Sequence, residues 1–573
     1  MTEPVLHAFG NRKLAAMAAV LLAALAMAQQ SAPQQNPPEY TLASDTQLVL
    51  VPVIVRDRDS GHLAGLGREH FTLLQDGKEQ SVAVFEEVDV SRPQPRQRTR
   101  YAPGVFTNLR AEERPLNLVI VALDMINTTP EHQAQSREEV LRALARTANE
   151  RTPTALLLIR PQGVKIVHDF STSPSLLMAA LNRTAYQRDD PSGTQKDTVS
   201  LSQSGTPSTL PSTGASAETT AAGRLDQMIN DINSYVEGIA IPIADYKRGV
   251  AVASTLEAFE NIARAYGGVP GRKSLVWVTA GFAFEGVDQS GVVGAGSVSG
   301  AYQKSLRALT DANIALYPVD IRGLINVGFG ASPTRSARRA RDEAPLIDAQ
   351  YGEMMSRIGN IENLADTTGG RAFYNTNDVG TAFEAAAKDS SAYYLLGYYL
   401  KRAETKPGWH KLKVKVDHEK VEVRAREGFF VREGEVEAAD ERRGDILAAL
   451  QAPVDFTQLP VLLRWNHVEK TPQGRKAAFD IELPPGAAHP DDRNQLNLDF
   501  VVVATTAAGE KVKDFSQNYT ATLGPEGLRK VAESGVTYSN TIVVPPGRYN
   551  VRVVVRDNVT GRSGSLAAPL AAP

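Results

Sequence analysis

The residues best suited to chemistry form one short run, Asp124-Met125-Ile126-Asn127-Thr128, which closes a nearly continuous apolar stretch at residues 116–124 (LNLVIVALD). A carboxylate, a carboxamide and a hydroxyl so close together can bind a ligand. They can equally cap the following helix and satisfy the amides of their own loop. A rival set, His168, Asp169 and Asp320, comes from separate segments. If the fold gathered it, an imidazole base oriented by carboxylates would suit a hydrolase of the cell envelope.

Other catalytic patterns are missing. The nine histidines are scattered, and none shows the H-E-x-x-H spacing that sets two imidazoles on one helical face for zinc. Residues 296–300 (GSVSG) carry valine where a G-x-S-x-G elbow needs its serine. Residues 267–274 (GGVPGRKS) depart from the phosphate-loop pattern because Arg272 separates Gly271 from Lys273, and they lead into a strand where such a loop opens a helix. With no cysteine, disulfides, zinc ribbons, iron–sulfur clusters and thiol nucleophiles are excluded. Lys+Arg at 62 against Asp+Glu at 65 leaves a net charge of −3, so no global field favours nucleic acid or an anionic membrane.

The elements that must position these residues follow from periodicity. At 573 residues and 42% hydrophobic content the chain can build roughly three to five domains. Arg12 and Lys13 precede the apolar run 14–28, which ends in Ala26-Met27-Ala28. That order predicts a secretory signal peptide over 1–28 and an extracytoplasmic mature chain, periplasmic or secreted, with no membrane span after cleavage. Residues 29–39 read as a disordered leader. Residues 40–90 form a small β module in which Val49, Val51, Val53 and Val55 alternate and Asp76-Gly77 marks a hairpin. Residues 91–114, rich in Pro and Arg, read as a solvated linker.

Residues 115–431 alternate strand and helix, the pattern of a doubly wound α/β domain. The apolar strand at 116–124 is expected to be buried on both faces; 154–160 reads as another buried strand and 164–170 as a third, followed by strands at 274–279 and 314–320 and a short one at 371–374. A Tyr-rich strand at 392–400 and a hairpin of 411–416 with 421–426 are expected to finish the domain. Two loops interrupt it, a low-complexity insertion at 189–223 and a basic loop at 328–344. A charged connector, 432–458, leads to short alternating strands at 459–573, which suggest an immunoglobulin-like β-sandwich.

The chain resembles the von Willebrand factor A family, and within it the von Willebrand factor A-related proteins of the acidobacterial type. The resemblance rests on residues 48–57, Phe71 with Asp76-Gly77, Asp124 with Asn127-Thr128, residues 270–277 (PGRKSLVW), 317–323 (YPVDIRG), 368–371 (TGGR) and 393–399 (YYLLGYY), and covers roughly residues 48–431. It implies a Rossmann-like α/β domain whose first strand ends in D-x-S-x-S, where an acid and hydroxyls hold Mg²⁺. Asp124 matches the metal-facing aspartate, Thr128 the second hydroxyl, and Thr255, with Ser254 beside it, the middle threonine. Ile126 stands where the first serine belongs, and Ala280 where the late aspartate belongs. The resemblance therefore implies a degenerate metal-ion-dependent adhesion site, able to hold Mg²⁺ weakly, with no certain cofactor.

The expectation is a non-enzymatic binding or adhesion protein. It recognises a protein or cell-surface partner through the sheet edge around Asp124, Asn127 and Thr128. An envelope hydrolase and a structural envelope scaffold are the alternatives.

Overall fold

The computed structural model describes residues 46–57, 61–90, 104–109, 117–147, 152–184, 249–281, 297–323, 355–356, 358–376, 378–401, 405–431, 439–452, 454–491 and 493–573. The predicted signal peptide, the leader, the insertion 189–223, the basic loop 328–344 and most of the linker lie outside the described residues.

Four apolar runs form the centre of the molecule. Strands Ile314–Asp320, Lys273–Thr279, Leu118–Asp124 and Thr154–Arg160 lie parallel in that order, and Gly163–Ser171 adds an antiparallel edge. Every residue of Leu118–Asp124, Lys273–Thr279 and Ile314–Asp320 is buried, as strands covered on both faces require. Helices Pro130–Thr147, Pro174–Thr184 and Val379–Ser391 cover one face, and helices 249–266, Ser297–Asp311 and 358–368 the other. The strand expected at 371–374 shrinks to one bridge between Val319 and Phe373. Helix 358–368 stops at Gly369, whose φ of 76° suits glycine, and Gly370 passes so close to Leu316 that a Cβ would meet its carbonyl oxygen at 1.8 Å.

The strands after residue 391 differ from the grouping expected from sequence. Ala392–Lys401 does not join the parallel sheet but pairs antiparallel with Thr46–Asp57 on one side and Val84–Asp89 on the other. Val421–Ala425 pairs with the far edge of Thr46–Asp57, while Gly408–Val416 crosses to a second sheet and pairs with Phe71–Gln75 and Gly428–Val431. The expected 411–426 hairpin is thus split between two sheets, and the α/β segment is inserted into a discontinuous β-sandwich. The four alternating valines, with Tyr394, Leu396 and Tyr398, fill its core. Asp76 and Gly77 turn at φ 49° and 80°, but the returning strand is Lys78–Gln80, and the chain then passes to the other sheet.

This sandwich meets the amino edge of the parallel sheet around Asp389. The fully buried Asp389 carboxylate accepts from Arg56 and Arg424, each at 2.5 Å, and from the Tyr317 hydroxyl at 2.7 Å. Nearby, Lys273 opens its strand 1% exposed, with Nζ donating to the carbonyls of Val269 and Gly271. Burial pushes its pKa down from 10.5 to about 7. Between those values the unfolded chain holds a proton that the folded chain lacks, so this group's contribution to stability rises with pH across the window and is lost as pH falls through about 7. In melts from about pH 7 to 10 the difference between the wild type and Lys273→Met is therefore expected to move in favour of the wild type. A difference that stays flat would refute it.

The last region packs two four-stranded antiparallel sheets around one core that includes Phe479, Phe500, Val553 and Leu566. A piece of the expected linker, Val105–Thr107, pairs with Leu462–Thr471 and completes one of them. Asn108 fastens it: its amide donates to the carbonyls of Phe456 and Leu459, and its oxygen accepts from Val461 N. The connector contains helix Ala439–Gln451, wedged between the second sandwich and helix 249–266. At that joint Asp445 accepts from Arg264 at 2.6 Å and from Arg556, which is fully buried, at 3.0 Å.

Candidate functional site

Leu118–Asp124 is the strand from which the chain turns first to one side of the sheet and then to the other. In open α/β sheets the crevice beyond the carboxyl end of that strand is where ligands bind. Asp124 ends it, 1% exposed. One carboxylate oxygen accepts from the amides of Ile126 (2.9 Å) and Asn127 (3.0 Å). The other accepts from Asn127 Nδ2 (2.7 Å) and from the Thr279 hydroxyl (2.9 Å). Burial pushes the Asp124 pKa up, against the pull of these four hydrogen bonds. Four donors facing two oxygens is the arrangement that an ionised carboxylate requires.

Asn127 carries the network across the crevice. The same Nδ2 donates to Thr255 Oγ1 at 2.8 Å, and Thr255 in turn donates to the Ala251 carbonyl within helix 249–266. Thr128 Oγ1 accepts from Ala280 N at 3.2 Å, which ties the loop to the end of the neighbouring strand. Gln133, from the next helix, donates to the carbonyls of Met125 and Thr128. The structure therefore brings together Asp124, Asn127, Thr128 and Thr255, and adds Thr279 and Gln133, which sequence reasoning did not assign. Thr279 could have been suspected, since it directly precedes Ala280, where the resemblance sought a carboxylate.

The arrangement does not fit Mg²⁺. That ion needs near-octahedral oxygen coordination at about 2.1 Å. Here both Asp124 oxygens, Thr255 Oγ1 and Thr128 Oγ1 already accept hydrogen bonds from within the protein. The Asn127 amide nitrogen, a donor, stands between the Asp124 and Thr255 oxygens that a cation would have to bridge. Among the described residues no cluster of His, Asp or Glu offers another metal site. The network instead locks the loop, with Met125, Ile126 and Asn127 half-exposed and Thr129 exposed. A separate cavity of about 230 Å³, which none of these loop residues lines, is walled by Arg160 and Gln162, by Ser254 and Asn261 of helix 249–266, and by residues of 448–454.

The rival residues are not gathered. His168 lies on the antiparallel edge strand, with Nδ1 against the carbonyl of its neighbour Asp169. Asp320 ends the opposite edge strand and pairs with the Arg322 guanidinium at 2.9 and 2.5 Å. With three strands between them, the two edges stand about 19 Å apart. A catalytic pair cannot act over that distance.

No family model matches the chain, and no curated protein matches it. Among solved structures, it shows a likeness to a β-glucuronidase from glycoside hydrolase family 2, at 12% identity and a TM-score of 0.13. The likeness covers 31% of this chain and 19% of that enzyme. No helix among the described residues is long and apolar enough to cross a membrane.

Proposed function

We propose that the chain is a non-enzymatic, extracytoplasmic binding protein of the adhesion type, built on a von Willebrand factor A-like domain. It recognises a protein or cell-surface partner through the loop that follows Asp124. The observation that carries this reading is the hydrogen-bonded lock of Asp124 by Asn127 and Thr279, at the point of the sheet where ligands bind. A loop held by a buried carboxylate loses little conformational freedom when a partner docks, which favours recognition. No metal is required, because the amide of Asn127 does the bridging.

The test is capture of envelope and surface proteins by the full mature chain, compared with Thr129→Arg. Thr129 is exposed, and its hydroxyl contacts only the His132 ring among described side chains, so the variant should change stability by less than about 1 kcal/mol. A partner that docks on the loop is expected to bind the variant at least about tenfold more weakly, since a bulky cation then occupies its footprint. Unchanged affinity for every captured partner would overturn the proposal.

A further inference from the structure

Where the first sandwich meets the amino edge of the parallel sheet, two guanidinium groups are buried with no carboxylate of the described residues in contact. Arg272 is 3% exposed and donates from Nη2 to the Tyr317 hydroxyl at 3.2 Å and to the Gly369 carbonyl at 2.5 Å. Arg426 is 8% exposed, reaches the Thr310 carbonyl only at 3.5 Å, and otherwise lies over the Phe429 ring. In both residues the buried Nε–H has no acceptor. Asp311 acts on Arg426 electrostatically but is itself exposed.

The two side chains line one small cavity of about 10 Å³, together with Pro52, Thr310, Asn313 and Thr368. Both hydroxyls there already donate elsewhere, Thr310 to the Arg307 carbonyl and Thr368 to those of Leu364 and Ala365. A cation held in the interior without a counter-charge is strongly unfavourable, and buried charges are ordinarily paired. Water could satisfy the Nε–H donors but would bring no negative charge into contact with either guanidinium. We propose that a small monovalent anion of the chloride type is held between Arg272 and Arg426, where it fastens the sandwich to the α/β unit. The cavity is of the size that one water needs, about 10–15 Å³, so a single-atom anion fits it with slight adjustment and a polyatomic anion such as gluconate does not.

The full chain, melted at constant ionic strength while sodium chloride replaces sodium gluconate, is expected to gain a saturable rise in melting temperature of about 2 °C or more. The rise is expected to vanish in Arg426→Met, which removes one of the two charges. A ³⁵Cl resonance broadened by the wild type beyond its bulk width would support the site even if that variant failed to fold. Identical melts in the two salts without such broadening would overturn the proposal. So would a chloride-dependent rise of equal size in Arg426→Met, because it would mark the effect as one of the surface.

Discussion

Replacing Asp445 by alanine is expected to lower stability by about 3–5 kcal/mol, among the largest single losses available to this chain. Asp445 is 4% exposed and sits on helix Ala439–Gln451 between two bodies. On one side Arg264 reaches it from helix 249–266. On the other Arg556 reaches it from the second sandwich with both Nε and Nη2. Arg264 and Lys304 also approach Glu260, at 3.2 and 3.5 Å, so they keep a carboxylate when Asp445 is removed. Arg556 loses the Asp445 carboxylate, which it meets with both Nε and Nη2, while remaining fully buried, and that loss carries most of the cost. Arg556→Met alone is expected to cost less, since Asp445 keeps Arg264. Combining the two substitutions should recover part of the Asp445→Ala loss. Denaturant unfolding of the three variants gives the coupling directly, and additive losses would show that the pair does not act as a unit.

This joint and the one at Asp389 mark the limit of what the sequence discloses. The runs Leu118–Asp124, Thr154–Arg160, Lys273–Thr279 and Ile314–Asp320 carry apolar residues at successive positions through their middles, which suits a strand covered on both faces, so their place in the sheet was legible locally. Ala392–Lys401 is also apolar on both faces, because Tyr394 and Tyr398 enter the sandwich core while the Tyr393 hydroxyl accepts from Arg272 N across the joint. Its pattern suits a parallel sheet as well as a sandwich, and only its pairing with Thr46–Asp57, far away in sequence, decides the matter. The site divides in the same way. Asp124 and Asn127 are three residues apart and declare a capped loop, whereas Thr255 and Thr279 reach them across 128 and 155 residues, separations over which periodicity carries no information. Arg56 and Asp389, a bond spanning 333 residues, were invisible for the same reason.

The loop at Asp124 should respond to substitution in a way that separates a locked carboxylate from a metal ligand. Asp124→Ala removes the acceptor of four donors, two of them backbone amides. Hydrogen bonds to a charged group are worth about 1.5–3 kcal/mol each, and water entering the half-exposed loop restores part of that, so a net loss of about 3–5 kcal/mol is expected. Because every oxygen is already engaged, wild-type melts in EDTA and in millimolar Mg²⁺ should overlay. Asn127→Asp gives the opposite behaviour. It exchanges the bridging NH₂ for a second carboxylate less than about 3 Å from the first, and two like charges that close cannot both ionise without compensation. The variant is expected to be destabilised in EDTA and to recover in Mg²⁺, Mn²⁺ or Ca²⁺, since a cation can then take the position between Asp124 and Thr255 that the amide held. Two side chains would thus decide whether this edge of the sheet depends on metal. A wild type stabilised by Mg²⁺, with an Asn127→Asp variant indifferent to it, would show that the amide is not the bridge and that the loop is held in some other way.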